Sequence, residues 1–176
     1  MREAAIHCVA DAPVAGLASA ERRALRLALA LSLGGAGVAG YLVYLHERIA
    51  GNPKRGLCTF TDTISCDTVL ASPYAAIGPI PVALIGLLGF ALLAALAAWR
   101  LVGERRTPRW LPAALALVAG VGLLFELIMT LVEFFVIRAV CPYCLIALAL
   151  IAGTFANATW AWRAAGAAPT KEDRHA

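Results

Sequence analysis

The chain has 176 residues, 61% of them apolar and only 15% charged, with a mean hydropathy of +0.79 and a net charge of +4. Soluble domains carry nearer a quarter charged residues, so an ordinary water-soluble globule is excluded and a membrane protein is indicated. Nor does the basic excess mark nucleic acid, because Lys and Arg stand in small groups at the ends of apolar runs, where they report membrane orientation.

Residues 1–21 mix Arg2, Glu3, His7, Asp11, Pro13 and Glu21 with small residues and have no periodicity. They are too polar for a signal-peptide core and read as a short tail in which Cys8 is a bystander thiol. From Leu27 to Leu45 no charge occurs, and Arg22, Arg23 and Arg26 precede the run, so a first spanning helix is expected over 24–45. Gly34, Gly35, Gly37 and Gly40 inside it suit close approach of a neighbouring helix, or else a slight bend. Residues 46–78 form the one long polar connection, with His46, Glu47, Arg48, Lys54, Arg55, Asp62 and Asp67 around Cys58 and Cys66. A connection of this length tends to carry function or to cover a site.

Further uncharged runs predict spanning helices over 79–99 and 142–162, and a third run over 111–137 is interrupted only by Glu126 and Glu133. The turn between the second and third helices is basic (Arg100, Arg105, Arg106, Arg109), and residues 164–176 form a polar tail. The expected architecture is an all-α, four-transmembrane-helix bundle over 22–163, with a long exported loop between the first two helices. Eleven Lys and Arg residues fall at one end of this bundle and four at the other, which places both termini in the cytoplasm. Trp99, Trp110, Trp160 and Trp162 then lie at the inner interface and Tyr41, Tyr44, Tyr74 and Tyr143 at the outer one, levels that suit amphipathic rings.

This topology brings Cys58, Cys66, Cys141 and Cys144 to one exported face. Cys141-Pro142-Tyr143-Cys144 stands where a helix begins, with Pro142 suited to the first turn. Thiols three apart there lie one above the other, close enough for a reversible disulfide, and the helix N-terminus favours the thiolate. With the C-x7-C pair of Cys58 and Cys66 on the loop, the set forms a chain for thiol–disulfide exchange between a water-soluble partner and a lipid-soluble acceptor. Two permanent staples, Cys58 with Cys66 and Cys141 with Cys144, are the structural alternative, although a bridge within one helical turn constrains almost nothing. A tetrathiolate zinc site is a third reading, disfavoured by the exported compartment and the membrane-level position of one pair. No metal or flavin motif stands out: there is no G-x-G-x-x-G, and the three histidines are well apart.

The runs Cys66-Asp67-Thr68-Val69-Leu70-Ala71-Ser72-Pro73-Tyr74, Ile80-Pro81-Val82-Ala83-Leu84-Ile85-Gly86 and Glu133-Phe134-Phe135-Val136-Ile137, followed by Cys141-Pro142-Tyr143-Cys144, resemble the vitamin K epoxide reductase family in its bacterial branch. The resemblance covers roughly residues 24–162. Order discriminates it from the other four-helix quinone-linked thiol oxidases, the DsbB-like proteins, in which the CxxC comes first. It implies a bundle around a quinone pocket, with menaquinone or ubiquinone as electron acceptor. Cys144 would react with the quinone and Cys141 would resolve it, while Cys66 would exchange with Cys141 and Cys58 would meet the external thiol protein. Ser72 would lie near the pocket, with capping before Pro73 as its other use. Vertebrate members bind the quinone oxygens with an Asn and a Tyr at positions corresponding to Val82 and Leu148 here. Plain quinone reduction is therefore expected rather than epoxide reduction. Some bacterial relatives carry a fused thioredoxin-like domain, whereas about 14 residues follow position 162 here, so the partner is expected to be a separate exported, DsbA-like protein.

Glu126 and Glu133, seven apart, share one face of the third helix. A carboxyl at membrane depth is a functional candidate, as a proton route to the reduced quinone, with interhelical hydrogen bonding as the alternative.

Overall fold

A computed structural model describes residues 12–51, 63–103, 108 and 110–166, with side chains over 19–49, 63–103, 108 and 110–165. Four long helices dominate it: α1 (Ala12–Gly51), α3 (Val82–Gly103), α4 (Leu111–Val132) and α5 (Pro142–Gly166). Each is long and apolar enough to cross a membrane, over Ser19–Ile49, Val82–Gly103, Leu111–Ile137 and Pro142–Ala165. Between α1 and α3 lie a five-residue helix, α2 (Cys66–Leu70), a 3₁₀ turn (Pro73–Ala75) and a small hairpin of β1 (Ala76–Ile77) and β2 (Ile80–Pro81).

Several boundaries differ from those read in the sequence. Helix α1 begins at Ala12, inside the expected tail, and continues to Gly51 rather than 45. Its 31-residue spanning portion rises about 46 Å at 1.5 Å per residue, more than the roughly 30 Å hydrocarbon core, so the polar ends continue the helix into the interfacial regions. The second spanning helix starts at Val82 rather than 79 and runs on past 99. Residues 79–81 belong instead to the hairpin, where Ile77 pairs with Ile80 and Gly78 turns the chain at φ 62, a conformation that glycine adopts freely. The loop 46–78 is ordered and packed in its described second half. Ser65 caps α2, its Oγ accepting from the Thr68 amide at 3.2 Å, and Cys66, Val69 and Leu70 are buried.

In the bundle α1 packs along both α3 and α5, and α4 packs mainly on α5, so of the four neighbouring pairs α3 and α4 meet least closely. Their start-to-end alternation is fixed at one end by an ion pair between Glu21 and Arg100, 2.8 Å apart. Small residues line the helix contacts, with Ala28, Ala97, Ala119, Ala158 and Ala161 fully buried, while Leu88, Leu117 and Phe135 face outward. This is the distribution of a bundle solvated by lipid, where close backbone approach takes the place of a large apolar core. A second, smaller cluster closes the other end: Leu42, Leu45 and Ile49 of α1 meet Cys66, Val69 and Leu70 of the loop and Ala139 and Cys141 before α5.

Candidate redox site

The path from α4 to the CxxC is irregular in a way that aims side chains. Past Val132 the helix widens into a single π turn, Glu133–Ile137, and then stops at Arg138, whose left-handed φ of 57 is the one positive φ outside glycine among the described residues. Single π turns inside helices accommodate an extra residue and gather at functional sites. Here the turn carries Glu133 inward, to 4% exposure, while Phe134, Phe135 and Val136 face outward. The chain then runs extended through Val140, which pairs with Ile64 in a parallel bridge. The Ser65 amide donates to the Val140 carbonyl at 3.2 Å, and the Val140 amide to the Thr63 carbonyl at 2.9 Å. These two bonds hold the start of α2 over the start of α5.

As a result the Cys66 and Cys141 sulfurs lie 3.0 Å apart, and both residues are fully buried. The separation is longer than a disulfide of about 2.05 Å, so the two sulfurs touch without being bonded to each other. Cys141 is also hydrogen-bonded to the Cys144 thiol. Hydrogen bonds from the Cys144 and Cys66 thiols hold Cys141 well below the ordinary thiol range. The amides of Cys144 and Tyr143 at the helix N-terminus add to this, and burial opposes it. The motif is anchored sideways as well: the Tyr143 ring meets Tyr41 of α1 edge-on at 5.1 Å, and Tyr41 stacks on Tyr44, over which Arg48 sits.

Cys144 faces the other way, into a cavity of about 80 Å³ that it lines together with Ser72, Tyr74, Val82, Glu126 and Glu133. A single water needs roughly 10–15 Å³, so this space holds several waters and is more than a packing defect. The remaining wall is apolar, from Leu42, Leu70, Phe90, Met129 and their neighbours. Ser72 Oγ is buried there with no hydrogen-bond partner in the protein. Gly86, Phe90 and Glu126 also line a second, apolar space of about 250 Å³ between α3 and α4, so the two adjoin where the bundle is loosest.

The fold therefore gathers Cys66, Cys141 and Cys144 in one chain of sulfurs, and places Ser72, Val82, Glu126 and Glu133 with Cys144 on one cavity. Leu148, by contrast, packs in the main helix core, and Ala147 takes the wall position beside Cys144. Cys58 and Cys8 lie outside the described residues. What sequence reasoning missed is a bond within the site: a Glu133 carboxyl oxygen accepts from the Cys141 amide at 3.0 Å, and the same carboxyl is hydrogen-bonded to the Cys144 thiol. A carboxyl eight residues before the CxxC is a visible signal, but the π turn that rotates it onto the motif is not. Among the described residues no three His, Cys, Asp or Glu side chains gather as a metal-binding group.

Three clustered thiols at one end of four spanning helices, the last of them on a cavity wall, fit the class of membrane thiol–disulfide oxidoreductases. A sequence model of the vitamin K epoxide reductase family matches residues 26–159, and the chain belongs to that family. Membership makes it a multi-pass membrane oxidoreductase of the thiol–disulfide and quinone kind, in a family that uses quinone.

Proposed function

We propose that this protein reoxidises a separate exported, thioredoxin-like (DsbA-like) protein and delivers the two electrons to a membrane quinone, menaquinone or ubiquinone, in support of disulfide formation. Electrons run from the partner dithiol to Cys58 and Cys66, then to Cys141 and Cys144, then to the quinone. The observation that carries this reading is the sharing of Cys141, whose sulfur meets both Cys66 and Cys144. A structural staple commits each sulfur to one partner; a sulfur poised between two is the geometry of exchange, in which a thiolate attacks one sulfur of a disulfide and releases the other. Cys144, on the cavity wall, is the thiol that reacts with quinone, and Cys141 resolves it.

The unpartnered Ser72 hydroxyl suits a quinone oxygen, and the apolar wall suits the ring. Val82 gives the wall no amide at the position of the family's Asn, and Ala147, with Leu148 turned into the core, gives it no phenol one turn beyond the CxxC, which favours plain quinone reduction over epoxide reduction; the wall's one phenol, Tyr74, comes from the loop instead. The excess of Lys and Arg at the end that holds the Glu21–Arg100 pair supports cytoplasmic termini in a bacterial plasma membrane, with the cysteines outside. Purified protein given a reduced thioredoxin-like protein and menaquinone or ubiquinone should turn over, and Cys144→Ser should not. Equal turnover by the two would overturn the role given to Cys144, and a wild type that does not turn over would point to a non-enzymatic membrane subunit.

A further inference from the structure

Glu133 is not needed to explain why three thiols meet, yet it is the most constrained carboxyl among the described residues. It is 4% exposed, and no Lys, Arg or His among those residues pairs with it. A carboxyl buried without a cation is costly, and a residue kept only for packing would not need to be one. Three observations locate its partners. Its carboxyl accepts from the main-chain amide of Cys141 at 3.0 Å, it is hydrogen-bonded to the Cys144 thiol, and it lines the cavity that Cys144 faces. Glu126 lines the same cavity but makes no hydrogen bond to either thiol.

We propose that Glu133 is a catalytic residue: it accepts the Cys144 thiol proton during quinone reduction and passes it to a quinone oxygen, while its bond to the Cys141 amide holds the CxxC turn against it. The inference rests on the quinone reading above. In the step, the Cys144 S–H bond breaks and its proton moves to the Glu133 carboxylate. The Cys141 thiolate and Cys144 become bonded sulfur to sulfur, and the two electrons released reduce quinone to hydroquinone. One hydroquinone proton comes from Glu133, and the other comes from water, replacing the proton that Cys141 had already given up. Without a base on the cavity wall the thiol proton would have to leave through an apolar lining. The π turn explains how a residue eight positions before Cys141 reaches both ends of the motif at once.

Replacement by Gln separates proton transfer from support, because its amide oxygen still accepts from Cys141 but its side chain carries no exchangeable acid. Glu133→Gln should lower kcat about a hundredfold. The quinone KM and the thermal midpoint should stay near those of wild type, since the lost interaction acts in the transition state alone. Glu133→Leu should lose the same rate and also some thermal stability. A quinone-free readout comes from infrared difference spectra between the reduced and oxidised protein. A carboxyl band should change as the Cys144 thiol is consumed and should be missing from Glu133→Gln. A Glu133→Gln variant turning over within about threefold of wild type would overturn the proton role and leave Glu133 as a positioning residue. So would a difference spectrum identical in the two proteins. A wild type unable to reduce quinone would overturn the function proposed above instead, whatever the spectra give.

Discussion

Gly35 offers a quantitative test of whether the packing of α1 on α3 shapes the cavity. A methyl group added there would stand 2.3 Å from the nearest carbon of the Phe90 ring, with two more ring carbons within 2.5 Å. Carbon atoms pack at about 3.5–4.0 Å, so the ring would have to retreat by about 1.2–1.7 Å. Phe90 is buried and lines both the thiol cavity and the adjoining space, so it retreats into one of them or the helices part. Overpacking of this kind costs about 1–3 kcal/mol. Gly37, two residues on, has nothing within 4 Å of its would-be methyl group and serves as the matched control. Both changes to Ala add the same helix propensity, so the difference between Gly35→Ala and Gly37→Ala isolates the clash. Gly35→Ala is expected to unfold at lower temperature than Gly37→Ala in detergent or nanodiscs, and to raise the quinone KM. If the two variants match in both thermal midpoint and KM, the cavity is not formed against Phe90.

Three further outcomes follow from the site. With Cys144→Ser, Cys66 at 3.0 Å is the one sulfur neighbour left to Cys141 among the described residues, so mild oxidation should yield a Cys66–Cys141 disulfide, read by peptide mapping; its absence would deny the contact. Ser72→Ala should raise the quinone KM about 2- to 10-fold through one lost hydrogen bond, with thermal stability unchanged because Ser72 Oγ has no protein partner; unchanged KM would remove Ser72 from the quinone site. Reduced wild-type protein should keep a thiolate absorbance into mildly acidic solution, and Cys141→Ser should lose it. Because folding lowers the Cys141 pKa, the stability linked to it is complete above the ordinary thiol value of 9.0 and declines as pH falls below that. A reduced protein whose stability rises on acidification through that range would contradict the sign.

The spanning helices are legible because each rests on a long apolar run, broken by charge only at Glu126 and Glu133 of the third, a signal that local irregularity does not disturb. The CxxC at a helix start is legible for the same local reasons, and Pro142 does open α5. The long loop is harder to read. Its polar composition suggests a solvated connection, whereas tertiary contacts bury Cys66, Val69 and Leu70 against α1 and bridge Ile64 to Val140. Hydrophobic periodicity carries no information about such contacts between segments more than seventy residues apart. Likewise Pro79 looks like a first-turn proline, but the turn at Gly78 pairs residues 80–81 with 76–77 before the helix can begin. Leu148 stands one turn beyond Cys144 by counting, and a small difference in helix rotation gives that wall position to Ala147. The π turn is the largest omission, since the run Glu133-Phe134-Phe135-Val136-Ile137 continues the helical pattern without interruption and only the folded chain reveals the extra residue.

The electron path is tested most directly by a single turnover without oxygen. Fully reduced protein, mixed with one equivalent of menaquinone and quenched with acid, should yield one hydroquinone per protein and a disulfide mapped to Cys141 and Cys144, with Cys66 still reduced. Hydroquinone formed with the first disulfide instead at Cys58–Cys66 or Cys66–Cys141, or quinone left unreduced, would contradict the account.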